Sequence, residues 1–482
     1  MACRPASKAP PEAWAIVNFT DSLQVWDGFG VNYVETAQTP DYDSFPQDYG
    51  GLSLLNEVQR REIIQLVFGP EGLQPSLVKM FLDPHHEPSN DNADPLQMDS
   101  AGFDHEKTTR WMRYFVQGGL AASAEQGREL EVITTLYGPP GWMTLQRQHR
   151  GRDLDPAMKE ELGEYYLSWI RYLQNNAYPI RYLSLHNEGE DYKRWTETGY
   201  TDSYDKDYNL YWSPLQVADF LKLLPRLFEI HSVAPVGLTL GETSSWMRLT
   251  VNHRKDKESY AGLIGLDEEA LSRLALITSH SFWAPTSAGT EFLRLRKFQM
   301  GQKQAPTCLD NLHQLEKMQT DFLLGFWQEI YQAKVNAIIP WACVQHHPSW
   351  TGGDPNPGTA IEVLGPEKYV VHPAYYYYKL VSRLGQRGMR VVNTYCSHDS
   401  VKVIAFAANG TTQPGSFVLI NPTDQELSIA IRIVASPTET YYMTRTSPGE
   451  QYLALGAVRL IEDEIRYVAP PQSATSFSEQ PD

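Results

Sequence analysis

Residues 181–188 read RYLSLHNE, a short apolar run that ends in three polar side chains, His186, Asn187 and Glu188. A run of this length bounded by polar residues is typical of a buried β-strand. The same layout recurs from about Val25 to Pro373, where short apolar runs alternate with longer amphipathic stretches. That alternation is typical of β/α units around a parallel sheet.

Eight such runs make a closed barrel the most economical topology, so the sequence predicts an α/β fold with a (β/α)8 TIM barrel. The predicted strands are residues 25–32, 76–83, 130–137, 181–188, 236–242, 275–283, 305–311 and 337–344. Apolar residues at three- and four-residue spacing predict helices between them, at 51–68, 106–126, 155–175, 213–231, 288–300 and 312–335.

The pattern changes after Tyr378 to strands of period two, separated by NG, PG and NP turn signals. This pattern predicts an appended antiparallel β-sandwich. The segment AIVNFT near the start of the chain can add a strand to it, so the sandwich is expected to use both chain ends. The predicted division is an N-terminal sandwich segment at 1–27, the barrel at 28–374 and the β-sandwich domain at 375–482.

Composition narrows the choice of partners. The 482 residues include 41 Lys and Arg against 58 Asp and Glu, a formal net charge of −17. This argues against a nucleic-acid partner, because affinity for phosphates comes mainly from basic side chains. Neither a signal peptide nor a membrane span of roughly 18 apolar residues is visible, so we expect a soluble protein. The compartment stays open between the cytoplasm and secretion after removal of a signal.

Neither a cofactor nor a metal is predicted. The four cysteines form no CxxC pair, no glycine-rich phosphate loop or dinucleotide fingerprint occurs, and the histidines of FLDPHHEPSND lack the spacing of HExxH.

In a β/α barrel, reactive groups lie at the carboxyl ends of the strands. There the sequence places carboxylates, histidines and aromatic rings. This combination is suited to cleaving a glycosidic bond, in which one acid protonates the leaving oxygen and a second carboxylate acts on the sugar carbon. The candidates read from these strand ends are Asp83, His85, Tyr137, Trp142, Asn187, Glu188, Glu242, His280, Trp283, Asp310 and Trp341.

Four motifs, IVNFTDSLQVWDGFG, YGPPGWM, LSLHNEGE and YVAPPQSATSF, occur in an order and spacing that resemble glycoside hydrolase family 30 and its clan A relatives, including the glucosylceramidase- and galactocerebrosidase-like branches. The resemblance spans nearly the whole chain. It implies a retaining β-glycosidase acting on a carbohydrate, with a glucose- or galactose-type sugar favoured.

The resemblance also implies roles for individual residues. Glu188 is the general acid/base and Asn187 contacts the sugar 2-hydroxyl. Trp142 and Trp341 are sugar platforms, and His280 is a polar contact near the nucleophile.

The sequence departs from this family where the nucleophile belongs. Clan A enzymes carry a glutamate at the end of the seventh strand, whereas this chain reads PTCLDNLH at 306–313. Asp310 is the first candidate for the role and Glu242 the second. The third alternative is that Asn311 occupies the place and the protein is a catalytically impaired carbohydrate-binding protein. On the second strand, Lys79 stands where the family commonly has an arginine that supports the nucleophile.

Overall fold

The structure is a computed structural model of the chain. It describes residues 10–38, 42–44, 46–90, 94, 96–201, 208–251, 259–281, 294–300, 312–349 and 359–481.

A closed parallel barrel forms the centre of the molecule. Its strands are β2 (Gly28–Asn32), β3 (Leu77–Leu82), β4 (Glu131–Leu136), β5 (Ile180–Ser184), β6 (Gly237–Thr239), β7 (Glu242–Thr243), β8 (Ile277–Ser279), β9 (Lys297–Gln299) and β10 (Ala337–Ile338). Neighbours pair in the order β6-β5-β4-β3-β2-β10-β9-β8-β7. Because β6 and β7 are two halves of the fifth strand, the barrel closes through that strand. The predicted TIM-like barrel is confirmed.

Helices cover the barrel strands. They are α1 (Glu57–Phe68), α2 (Arg110–Glu125), α3 (Lys159–Asn175), α4 (Pro214–Ile230), α5 (Trp246–Thr250), α6 (Tyr260–Leu266), α7 (Glu268–Arg273), α8 (Leu312–Gln328) and α9 (Pro373–Leu384). Their starts follow from local chemistry: the Asn56 side chain accepts a hydrogen bond from the Gln59 backbone at α1, and Ser213 caps α4 ahead of Pro214. A π-helical turn, Glu329–Ala333, ends α8.

The prediction for the seventh barrel strand is wrong. Strand β9 lies at Lys297–Gln299, inside the stretch predicted as the helix 288–300, and it pairs with β8 and β10 as the seventh strand. The stretch 305–311, predicted as that strand, lies outside the described residues. Only three residues pair with the neighbouring strands, and the charged sequence before them, EFLRLR, has helical spacing. A strand this short is set by its neighbours in the barrel more than by its own pattern.

A second sheet combines both ends of the chain. Its strands are β1 (Ala13–Val25), β14 (Arg390–Cys396), β15 (Lys402–Ala407), β16 (Ser416–Asn421), β17 (Leu427–Val434), β18 (Thr440–Ser447), β19 (Glu450–Arg459), β20 (Glu464–Ala469) and β21 (Ser473–Ser478). The neighbours of β1 are β14, antiparallel, and β17, parallel. The predicted sandwich built from both chain ends is confirmed, with one parallel pair in it.

Strands β11 (Val344–Gln345), β12 (Ile361–Gly365) and β13 (Lys368–Val371) form a small third sheet after the last barrel strand.

The barrel and the second sheet share one apolar core. Buried Phe406 of β15 contacts Trp26 and Phe29, with ring centroids 5.5 and 6.3 Å apart. A separate cluster that includes Val17, Phe417 and Ile431 fills the inside of the sandwich. Among the described helices, none combines the length and the apolar character that crossing a membrane requires.

Candidate active site

The fifth barrel strand breaks to place a carboxylate at the barrel mouth. Between β6 and β7, Gly241 has φ +108°, and a side-chain carbon there would lie 2.3 Å from the His186 ring. Glycine is therefore required, because this conformation and this space exclude a side chain. The backbone of the next residue, Glu242, makes two hydrogen bonds to the end of the fourth strand. Its N–H donates to the His186 carbonyl at 2.7 Å, and its carbonyl accepts from the Glu188 N–H at 2.6 Å.

His280 connects the two buried acids at these strand ends. It follows β8, and its Nδ1 lies 2.9 Å from Glu188 Oε1 while its Nε2 lies 2.9 Å from Glu242 Oε2. One imidazole ring thus hydrogen-bonds both carboxylates. Burial alone lowers the pKa of His280, but the hydrogen bonds with Glu188 and Glu242 outweigh it, so the pKa is raised.

Glu242 is held as an anion. Its side chain is fully buried, Lys79 of β3 pairs with Oε2, and the Thr135 hydroxyl of β4 donates to Oε1. Burial would raise the pKa of Glu242, but Lys79 and His280 oppose it and bring the pKa to about 2. Lys79 therefore supports the strand-five carboxylate.

Glu188 sits on a bend at the end of the fourth barrel strand. Its φ of +48° is in the left-handed region, which a non-glycine side chain adopts at a cost. Its Oε2 pairs with Arg194 of the following loop. Five charged or ionisable side chains therefore contact one another in sequence: Arg194, Glu188, His280, Glu242 and Lys79. We name these five side chains the charge row.

A third acid, Glu190, lies beside the charge row. It is buried, and its Oε1 accepts hydrogen bonds from the backbone and hydroxyl of Ser244, with the backbone nitrogen 2.9 Å away. Burial is the main cause of its raised pKa, and the charge of Glu188 adds to it. Glu190 thus ties the loop after strand four to the loop after strand five.

The seventh strand ends without a carboxylate. Its last residue is buried Gln299, whose amide nitrogen lies 3.2 Å from the Ser281 hydroxyl. The sequence from there, MGQKQAPTCLD, reaches its first acid only at Asp310. Asp310, Asn311 and Trp283 lie outside the described residues, so the structure does not place these three candidates.

A pocket of about 600 Å³ opens on the loops after the first three barrel strands. Trp142 and His85 line it, with Tyr42, His149 and Arg150 around them. The Trp142 indole donates to the Glu87 carbonyl at 3.0 Å, and His85 Nε2 lies 2.9 Å from the Tyr208 hydroxyl. Glu188, Glu242 and His280 do not line this pocket. The charge row, and not this pocket, is the candidate active site, because the ionisable side chains Glu188, His280 and Glu242 meet there.

Four other predicted contacts are buried. Tyr137 stacks on Phe81 with centroids 4.8 Å apart, and Trp341 packs against Tyr49 at 5.5 Å. Asn187 is buried beside the β7 backbone.

Asp83 accepts a hydrogen bond from the Thr108 hydroxyl at 2.6 Å and lies 3.2 Å from His86. Burial alone would raise the pKa of Asp83, but these neighbours help to bring it below its ordinary value. These bonds hold Asp83 inside the protein rather than at a pocket wall.

Sequence reasoning missed Arg194, Thr135 and Ser244. None stands in a motif that signals its role. Thr135 and Ser244 reach the site from neighbouring strands or their ends, and Arg194 reaches Glu188 from six residues further along the same loop. In the part of the chain that the structure describes, no group of three or more His, Cys, Asp or Glu side chains could hold a metal ion.

Solved structures share this architecture over nearly the whole chain. The catalytic domain of GH30 xylanase C from Talaromyces cellulolyticus superposes with a TM-score of 0.73 at 14% identity, covering 96% of this chain and 99% of that one. A conserved exported protein from Bacteroides fragilis gives 0.74 at 10% identity, covering 96% and 99%. An endo-β1,6-glucanase gives 0.66 at 14% identity, covering 98% and 95%.

At the level of sequence no protein-family model matches, and a search of curated proteins finds no match. The likeness is therefore one of fold, and it includes both the barrel and the sheet made from the two chain ends. The chain has the fold of the family 30 glycoside hydrolases of clan A.

Proposed function

We propose that this protein hydrolyses β-linked glycosides, with Glu188 and Glu242 as the two carboxylates. The observation that carries the proposal is the pair itself: two buried acids at adjacent strand ends of a barrel mouth, both hydrogen-bonded to His280. Glycoside hydrolysis needs one acid to protonate the leaving oxygen and a second carboxylate on the sugar side. Proteins of the same fold include a xylanase and a glucanase.

Glu242 is the proposed nucleophile. A nucleophile must be ionised, and a pKa of about 2 keeps Glu242 ionised at neutral pH. Lys79 pairs with it from the second strand, where the family resemblance leads us to expect the cation that supports the nucleophile. This moves the role from the seventh strand, favoured by the sequence, to the fifth.

Glu188 is the proposed general acid/base. It protonates the leaving oxygen while Glu242 bonds the anomeric carbon, and it then takes a proton from the water that releases the sugar. Glu188 is therefore a carboxylate between the two steps and is protonated again when the second is complete. In the free protein its Oε1 lies 2.9 Å from His280 Nδ1.

His280 also bears on the stereochemical course. Oxygens bound to opposite nitrogens of one imidazole are normally farther apart than the ~5–5.5 Å of retaining enzymes. Retention, which we propose, therefore requires bound substrate to displace the His280 ring from between the acids. If the two acids keep the wider separation that the ring now sets, their spacing fits the ~6.5–9.5 Å of inverting enzymes, and NMR of the first-formed anomer detects inversion.

The test is turnover of a panel of 4-nitrophenyl β-glycosides that includes glucoside, galactoside and xyloside, together with β-1,6-gluco-oligosaccharides. We expect Glu188→Gln and Glu242→Gln each to lower kcat/KM by at least about 100-fold, the lower end for a lost acid/base group. Glu268 on α7 is an exposed acid, so Glu268→Gln is the control. It should keep full activity.

A fluorosugar inactivator followed by peptide mapping should label Glu242. Label on Asp310, or no label on an active enzyme, contradicts the assignment.

A second candidate function is carbohydrate binding without hydrolysis. The absence of an acid from the end of the seventh strand through residue 309 favours it. Calorimetric binding of an oligosaccharide by a protein that turns over no member of the panel would establish this alternative.

A further inference from the structure

Two exposed aromatic side chains lie together on the outer face of the sandwich, far from the charge row. Trp14 of β1 is 49% exposed and Tyr395 of β14 is 54% exposed. Their ring centroids are 5.0 Å apart with 34° between the planes. Aromatic rings normally bury much of their surface, and an exposed cluster on a folded protein marks a place where something binds.

The strand pattern fixes these rings on the outer face. Ala13, Ala15 and Val17 point into the sandwich core, so Trp14 between them points outward. The backbone holds this position, because the Trp14 N–H donates to the Ser397 hydroxyl and the Ser397 N–H donates back to the Trp14 carbonyl, each at 2.9 Å.

The neighbouring strands supply polar groups beside Trp14. Register places Ala430 of β17 next to Trp14 and Arg466 of β20 next to Ala430. Arg432, next to Ile16 in the same register, and Arg466 are both exposed.

We propose that Trp14 and Tyr395 form a surface carbohydrate-binding platform, separate from the barrel, that takes the apolar face of a pyranose ring in a polysaccharide. Aromatic rings contact the C–H face of the sugar, while Arg432 and Arg466 hydrogen-bond its hydroxyls. Two half-exposed rings bordered by two arginines offer too little apolar area for a stable protein interface, which buries roughly 800 Å² per partner. The patch matches one or two sugar rings.

The platform is distant from the proposed catalytic residues. From Trp14, strand β1 runs to Val25 before the chain enters the first barrel strand at its amino end. Because β1 is bulged, its residues Ala15 to Val25 pair with only Arg390–Cys396 of β14, a span of roughly 20 Å. Glu188 and Glu242 lie beyond it, at the opposite, carboxyl end of the barrel. The platform would therefore hold a polymer near the enzyme without contacting the bond that is cleaved.

The experiment is a pull-down with insoluble β-1,4-xylan and insoluble β-1,6-glucan, using the Glu188→Gln background so that the polymer is not digested. We expect binding to at least one polymer and a loss of about tenfold in affinity for Trp14→Ala. The double variant with Tyr395→Ala should lose more, and Trp14→Phe should retain most of the binding.

Tyr442→Ala is the matched control, because Tyr442 is an exposed aromatic, 37% accessible, on strand β18 near the other edge of the same sheet. It should bind as the parent does. Thermal unfolding checks that all variants are folded.

Wild-type affinity in the double variant, or no binding of either polymer by the parent, overturns the proposal. Turnover of soluble aryl glycosides tests the proposed hydrolase function separately. It should be unchanged by Trp14→Ala in the otherwise wild-type protein, so either idea can fail while the other stands.

Discussion

Glu329 is a buried acid whose carboxyl group lacks a full set of partners. It begins the π-helical turn after α8, its Oε2 accepts from the Trp246 indole at 3.0 Å, and the Ser281 side chain is its other polar neighbour. Burial raises its pKa to about 8. The protonated carboxyl is therefore the form that the folded protein favours at neutral pH.

This predicts a specific pH dependence of stability. The pKa of Glu329 in the folded protein lies above its ordinary value of 4.5. Protonated Glu329 therefore stabilises the folded state fully below pH 4.5, and this stabilisation is lost as the pH rises toward 8. Glu329→Gln keeps an acceptor for Trp246 and removes the titration. From pH 5 to pH 9 the free energy of unfolding should fall in both proteins, and the fall should be on the order of 3–5 kcal/mol larger in wild type than in the variant.

Urea unfolding at the two pH values measures the effect. Glu229→Gln, a change at an exposed acid on α4, should leave the pH dependence as in wild type. Identical slopes for Glu329→Gln and wild type would show that Glu329 is ionised in the folded protein.

At the scale of single elements, the break in the fifth strand is the most sensitive point. Gly241→Ala introduces a side chain at φ +108° and 2.3 Å from the His186 ring. We expect a loss of more than about 2 kcal/mol in the free energy of unfolding. The proposed glycosidase activity should also fall, even where the protein is folded, because Glu242 follows directly.

Gly456 gives the matched comparison. Its φ is +88°, but an added side chain there would meet nothing within 4 Å. Gly456→Ala therefore reports backbone strain alone, expected at about 1–2 kcal/mol, with activity intact. Equal effects of the two substitutions would mean that the His186 contact costs nothing.

Elements also show where sequence reasoning succeeds and fails. Strands β3 (LVKMFL) and β4 (EVITTL) lie within one residue of the predicted bounds at each end, because runs rich in apolar and β-branched residues are distinctive at this length. Strand β9 differs from the prediction because three residues carry too little pattern, and the choice of Asp310 as first candidate nucleophile rested on the predicted strand at 305–311.

The charge row required more than pattern. Glu188 could be found from the end of an apolar run. The joining of Lys79 to Glu242, and of His280 to both acids, depends on which strands face each other across the barrel, and periodicity does not contain that information.

At the scale of the whole molecule, the barrel and the sandwich should unfold together. Strands β15 and β16 bury both faces, with Phe406 against Trp26 of the barrel side and Phe417 stacked on Phe477 inside the sandwich at 4.5 Å. Phe406→Ala and Phe417→Ala should each cost about 3–5 kcal/mol, and each should shift one common transition. Calorimetry that shows two steps, with Phe417→Ala moving only one, would contradict this coupling.

The position of β1 has a consequence for synthesis of the protein on the ribosome. Its partners β14 and β17 begin at Arg390 and Leu427, some 400 residues later, so at about 5–20 residues per second the first strand waits roughly 20–80 s for them to be translated. Through that time its apolar side chains lack their final neighbours and are open to wrong pairing or to chaperones. Residues translated some 400 positions later thus decide when β1 folds.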